Sequence, residues 1–193
     1  RHPPVCHRPL SRPPAADRTY AEDRGSDGAA RHRAGGCGAV SDYIAVLALL
    51  AEYGGRLDAG AYDDWLGLFA AECLYSVMPR ENDAQGLPIA LISCTKRAAL
   101  EDRILALQQA NKYNIHTDRH LIGLPRVTGI ASGSVAYEAS FTVHQTDQEG
   151  DTRLFATGLY RGRLLQTEHT LKIAAVTVLL DTFAVPSLLA TPL

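Results

Sequence analysis

The segment LKIAAVTVLL, residues 171–180, decides how this chain folds. It carries the β-branched residues Ile173, Val176, Thr177 and Val178 and neither glycine nor proline, so it reads as a strand. Strict alternation puts Leu171, Ile173, Ala175, Thr177 and Leu179 on one face and Ala174, Val176, Val178 and Leu180 on the other. Both faces are apolar, and such a strand needs cover on each side. Working back from it, turn clusters at Ser132-Gly133-Ser134, Asp147 to Asp151 and Gln166 to His169 divide the chain after His120 into four antiparallel strands. In the second of them, Val135, Tyr137, Ala139, Phe141 and Val143 face one way and Glu138, Ser140, Thr142 and His144 the other, a half-solvated pattern.

Ahead of the strands the apolar period is close to 3.6. Ser41 is placed to cap a helix starting at Asp42, with Val46, Leu50, Tyr53 and Leu57 on one face and Gly54-Gly55 weakening its end. A second helical piece, 61–69, gathers Tyr62, Trp65, Leu66 and Phe69 ahead of a strand over Cys73 to Met78 and a loop from Pro79 to Pro88. Thr95 caps a third helix that runs to about Asn111, with Leu100, Ile104 and Leu107 inward and Arg97 and Glu101 as an exposed i,i+4 pair. This order predicts an α+β fold with N-terminal helices packed on one face of a curved mixed or antiparallel sheet. Three modest helices cover only one face, so the second calls for another chain. The tail Pro186 to Leu193 ends in three leucines, Leu188, Leu189 and Leu193. It either folds back on its own sheet or docks between subunits.

Residues 41–193 are expected to form a single domain. Residues 1–40 hold five of the ten prolines, seven arginines and almost no large apolar side chains, so they read as a disordered leader. Met78 is the sole methionine, so residue 1 is not a conventional start, and the leader is set aside from fold reasoning. With 19 basic against 21 acidic side chains, the chain lacks the basic stripe of a nucleic-acid binder. The longest apolar runs, Ile44 to Ala51 and Ile173 to Leu180, are too short to span a membrane. Cys6, Cys37, Cys73 and Cys94 stand singly with no C-x-x-C pair, which argues against a disulfide framework or zinc knuckle and for a reducing, cytoplasmic setting.

Candidate chemistry is sparse. His116, Asp118 and His120 have a spacing that could hold a metal on a helix, but Asn111, Asn114 and Thr117 end the helix before them. A hydrogen-bonded cluster of Asp118, Arg119 and His120 at the helix-to-sheet corner is the favoured reading. The run Gly36-Cys37-Gly38 does not follow a strand, so it is no dinucleotide loop. Cys73 and Cys94 fall where buried strand residues are expected, and no G-x-S-x-G elbow is present. A cone of helices and curved sheet can still enclose a pocket in which a carboxylate and a histidine move a proton. Candidates for that role are Tyr53, Asp64, His120 and His144, and the corresponding activities are a free-standing isomerase or dehydratase, or simple binding of a small ligand.

Met78-Pro79-Arg80-Glu81-Asn82, Gln85-Gly86-Leu87-Pro88, Leu100-Glu101-Asp102-Arg103-Ile104, Arg119-His120-Leu121-Ile122-Gly123 and the ending Asp181 through Leu193 occur in that order. Together they make residues 42–193 resemble the small (beta) subunit of aromatic-ring-hydroxylating dioxygenases. Gln109 to Tyr113 and Leu121 to Pro125 are most similar to the terephthalate dioxygenase and salicylate hydroxylase types. The resemblance implies a cone like that of nuclear transport factor 2 and ketosteroid isomerase. It also implies assembly with an iron-carrying alpha subunit as three alpha and three beta chains. The Rieske [2Fe-2S] cluster and mononuclear Fe(II) would lie in alpha, with electrons from NADH through a reductase and no cofactor in this chain. An aromatic carboxylate is the implied substrate class. On this reading Arg80 and Glu81 are the foremost interface charges, followed by Arg103, Arg119 and His120, with Leu188, Leu189 and Leu193 as the docking tail. The alternative for these charges, most of all Arg103, is an internal salt-bridge and hydrogen-bond cluster.

Overall fold

The computed structural model describes residues 36–110, 115–131, 133–167, 170–182 and 189–193. The leader up to residue 35, the expected helix end at Asn111, and Leu188 lie outside them. The elements are α1 (Gly36–Asp58), α2 (Tyr62–Leu66), β1 (Phe69–Pro79), α3 (Arg80–Ala84), β2 (Ile92–Cys94), α4 (Arg97–Ala110), β3 (Thr117–Ile122), β4 (Arg126–Ala131), β5 (Ser134–Thr146), β6 (Thr152–Gln166) and β7 (Leu171–Leu180). The strands form one curved sheet in the order β2-β1-β7-β6-β5-β3, with β4 also pairing β5. All pairs are antiparallel except β1 with β7. This is the predicted α+β cone. None of the described helices is long and apolar enough to cross a membrane.

Helix α1 starts at Gly36, ahead of the expected cap at Ser41. A cap contributes only ~1 kcal/mol, too little to stop a helix that small residues allow to continue. Val46, Leu50, Tyr53 and Leu57 are buried as the period requires. Gly54 does not end the helix either, because its missing side chain is where β3 approaches: a Cβ there would lie 3.1 Å from Ile122 Cδ1 and 3.3 Å from His120 Cβ. The loop expected over 79–88 contains the one-turn helix α3, and the second helical piece is shorter than expected, with Phe69 opening β1. Leu100 and Ile104 of α4 are buried, and Arg97 pairs with Glu101 at 2.7 Å while also donating to the Phe69 carbonyl.

Five strands, rather than four, follow His116. The first expected strand breaks at Gly123-Leu124-Pro125 into β3 and β4, which pair with successive halves of β5. Pro125 has no N–H for the ladder, and Gly123 closes the corner by donating to the Ser140 carbonyl at 2.8 Å. The β5 alternation stands, with Val135, Tyr137, Ala139, Phe141 and Val143 all in the core.

The two-faced strand resolves differently from strict alternation. A bulge at Ala174, opposite the Arg163–Leu164 step of β6, returns Ile173 to the core face beside Val176, Val178 and Leu180. The outer face is left with Ala175, Thr177 and Leu179. Ser76 of β1 donates to Thr177 at 3.2 Å, and Leu179 is covered between Met78 and Leu159 on the neighbouring strands. The demand for a second cover on β7 is therefore smaller than the sequence predicts. Large exposed apolar side chains lie elsewhere, at Leu87, Ile89 and Leu91 after α3 and at Leu121, Leu124 and Ile130 around the β3–β4 corner.

Candidate functional site

Helix α1 ends in Asp58, and β3 passes directly beside that end. Pairing of His120 with Val143 of β5 turns the imidazole to the inner face of the sheet, where its side chain is 0% exposed. Nδ1 of His120 lies 2.7 Å from Asp58 Oδ1, and the His120 main-chain N–H donates to both carboxylate oxygens at 3.0 and 3.2 Å. Arg119, on the opposite, exposed face, reaches Asp58 Oδ2 at 3.3 Å. A carboxylate only accepts, so Nδ1 of His120 is the donor in this contact. Nε2 of the same ring is buried without a hydrogen-bond partner among the described residues. A buried carboxylate and the imidazole it orients are the residue types of a proton-transfer pair, held here at the junction of α1 and β3.

Asp58 escaped the sequence reading. Its one signal was its place, four residues beyond Gly54 at a helix end. The other candidates do not converge with the pair. Asp64 is exposed on α2, and its carbonyl accepts from Arg56 at 2.6 Å. His144 is opposite Arg119 in the ladder and shares its outer face. Tyr53 is buried edge-on to Tyr160 and Trp65, with centroids 5.5 Å apart in each case. His116 lies just ahead of β3 and His120 within it, so the two do not share one helical turn. His116 faces Asp118 at 3.4 Å, and Asp118 accepts from Gln145. Among the described residues no three His, Cys, Asp or Glu side chains are grouped to hold a metal ion.

Several of the expected interface groups are used inside the chain. Arg103 donates to the carbonyls of Leu189 and Ala190 at 2.8 and 3.3 Å. Leu189 packs on the core, and Leu193 is buried in it. The Leu193 carbonyl accepts from Tyr53 at 2.6 Å and Tyr75 at 3.4 Å, and its N–H donates to the Tyr75 oxygen at 3.0 Å. The described part of the tail thus folds back on its own cone. Arg80 pairs with Asp181, while Glu81 points to solvent on α3. Asp83 of the same helix binds Arg161 at 3.0 Å, and Arg161 continues to Glu138, which tethers α3 to the sheet.

Burial raises the Tyr53, Tyr75, Tyr137 and Tyr160 hydroxyls well above the ordinary value of 10.0, and for Tyr53 and Tyr160 neighbouring tyrosines push further the same way. Their neutral forms belong to the fold. Their contribution to stability is whole below about pH 10 and is lost as pH rises toward the folded values. In an alkaline titration these four of the eight tyrosines should therefore form phenolate only together with loss of the circular-dichroism signal. Phenolate from all eight in a still-folded protein would contradict this burial.

The sequence matches the ring hydroxylating beta subunit family over residues 55–187. The chain belongs to that family. It is 32% identical over 154 residues to the anthranilate 1,2-dioxygenase small subunit of Burkholderia cepacia, covering 80% of this chain and 96% of the relative. It is 29% identical over 150 residues to terephthalate 1,2-dioxygenase terminal oxygenase subunit beta 1 of Comamonas sp, covering 78% and 97%. A crystal structure of a beta subunit from Novosphingobium aromaticivorans, assigned to an aromatic-ring-hydroxylating dioxygenase, superposes with a TM-score of 0.74 at 38% identity, covering 80% of this chain and 99% of that one. This beta subunit is thus part of an oxidoreductase that works with an alpha subunit.

Proposed function

We propose that this beta subunit organises the oxygenase without acting on the aromatic ring itself, and that its substrate is an aromatic carboxylate. Anthranilate and terephthalate, in the names of its relatives, are both of that class. On this reading the alpha subunit holds a Rieske [2Fe-2S] cluster and mononuclear Fe(II). It receives electrons from NADH through a reductase, and three alpha and three beta chains assemble in the cytoplasm.

The observation that carries the reading is the ridge following β1. Leu87, Ile89 and Leu91 are exposed on a segment pinned by Asn82 donating to the Ile89 carbonyl at 2.8 Å and by Leu91 N–H donating to Val77 at 2.8 Å. Three apolar side chains held in place on a loop, with Arg80 and Glu81 beside them, form an apolar centre with a charged rim, the anatomy of a docking patch. Arg119 lies away from this ridge, on β3 at the other end of the sheet and paired with Asp58, while His120, Arg103, Leu189 and Leu193 are engaged within the subunit.

Replacing Ile89 and Leu91 together by aspartate is expected to lower recovery of the alpha–beta complex at least tenfold in co-purification, with circular dichroism unchanged, because the ridge contributes little to the core. Undiminished recovery of an iron-containing complex would remove the ridge from the interface.

A further inference from the structure

The outer face of the sheet, turned away from the core, has an uncharged centre beside the ridge. On β1 and β7 it presents Leu74 opposite Ala175, Ser76 opposite Thr177 and Met78 opposite Leu179. Leu74 is exposed, and Ser76, Ala175 and Thr177 are half-buried. A sheet face that meets only water ordinarily carries polar and charged side chains, whereas a centre without charges is a mark of interfaces. The ridge leads onto this face, because Leu91 runs into β2, where the exposed Ser93 stands opposite Ser76. Helix α3 is tied to the same face through Asp83 and Arg161, and Arg161 is the neighbour of Thr177 on β6.

Arg163 stands at the far border of this centre, exposed on β6 between Ala136 of β5 and Ala175 of β7. Two methyl groups offer no acceptor. Every other described arginine reaches a carboxylate, the Gln145 amide oxygen or a main-chain carbonyl. Arg161, two positions along the strand, is already neutralised by Asp83 and Glu138. The uncompensated charge is that of Arg163.

We propose that the alpha subunit lays a segment across this face and sets one of its carboxylates on Arg163. The inference rests on the ridge being the docking patch and extends that patch onto the sheet. Short side chains at Ser76, Ala175 and Thr177 let a partner's backbone come close. A guanidinium takes a carboxylate through two parallel N–H donors, and the methyl floor excludes water from the pair once the partner is seated. A basic segment would meet Arg163 with no carboxylate between them.

The test co-expresses the full chain with its alpha subunit and follows co-purification and affinity. Arg163→Glu is expected to lower recovery of the complex about tenfold or more. Circular dichroism and the thermal midpoint of the beta chain should not change, since the guanidinium holds no group of its own chain. Arg163→Ala should show a shallower loss of affinity than the intact chain between about 0.05 and 0.5 M salt. Ala175→Gln, which raises the floor without altering charge, should also lower recovery. Full recovery with Arg163→Glu or with Ala175→Gln, or an unaltered salt dependence with Arg163→Ala, would each overturn the proposal. Loss of the complex on replacing Ile89 and Leu91 by aspartate, with full recovery for Arg163→Glu, sinks this inference alone. Full recovery in both sinks the ridge reading with it. A self-association of the beta chain that Arg163→Glu abolishes while alpha is still recovered would assign the face to a second copy and overturn the proposal as well.

Discussion

Gly158→Ala is expected to destabilise this subunit by about 3 kcal/mol or more, enough to lose much of its soluble expression. Gly158 lies at the centre of the sheet, opposite Phe141 on β5 and Leu180 on β7. A Cβ there would collide with the main-chain carbonyl oxygen of Leu179 and sit 3.1 Å from the Phe141 ring. A ring can rotate, but a carbonyl fixed in a central strand moves only with its ladder. Neither β6 nor β7 has a free edge to absorb the displacement. Gly129→Ala is the control, since its Cβ would meet only the Ala136 methyl, at 3.9 Å. That change should be close to neutral. Urea midpoints followed by circular dichroism measure both, and equal midpoints would contradict the central packing described here.

Removal of residues 189–193 should be nearly as damaging, and within the subunit itself. The deletion gives up the burial of Leu193, about 2 kcal/mol. It also leaves the Tyr53 and Tyr75 hydroxyls without their carbonyl acceptor at a cost of ~1–3 kcal/mol each. Arg103 loses its two carbonyl acceptors as well. A fall in thermal midpoint on the order of 10 °C is expected for the chain measured apart from any partner. This separates two roles of the tail. A truncated chain that melts like the intact one yet no longer co-purifies with alpha would identify residues 189–193 as a docking element instead of a closure of the cone.

The candidate pair shows where legibility stopped. His120 was visible as one of a polar trio, and its inward face follows from the alternation of β3 about Val143. Its partner was not visible, because Asp58 lies 62 residues earlier and meets it only when α1 crosses β3. Gly54 was read as a weak point for the same reason: a missing side chain looks like lost helix propensity until the strand that needs the space is known. Tyr53 is legible as a helix-face residue and a candidate proton-transfer group, but the acceptor of its hydroxyl and of Tyr75's is not. Their hydroxyls are satisfied by Leu193, 140 and 118 positions away.

The amino-acid order by itself determined what depends on near neighbours: helices first and strands after, the buried faces of α1, α4 and β5, and the run of local motifs shared with the ring hydroxylating beta subunits. Periodicity and turn chemistry are short-range, so they survive without a structure. The tertiary structure alone decided the parallel pairing of β1 with β7, joined across 101 residues at Ser76 and Thr177, and the bulge at Ala174 that moves Ile173 to the core. It also decided the inward course of residues 189–193. Register and bulges are set by how two distant strands fit together, and where a terminal leucine goes depends on whether tyrosine hydroxyls wait for its backbone, which no local pattern records.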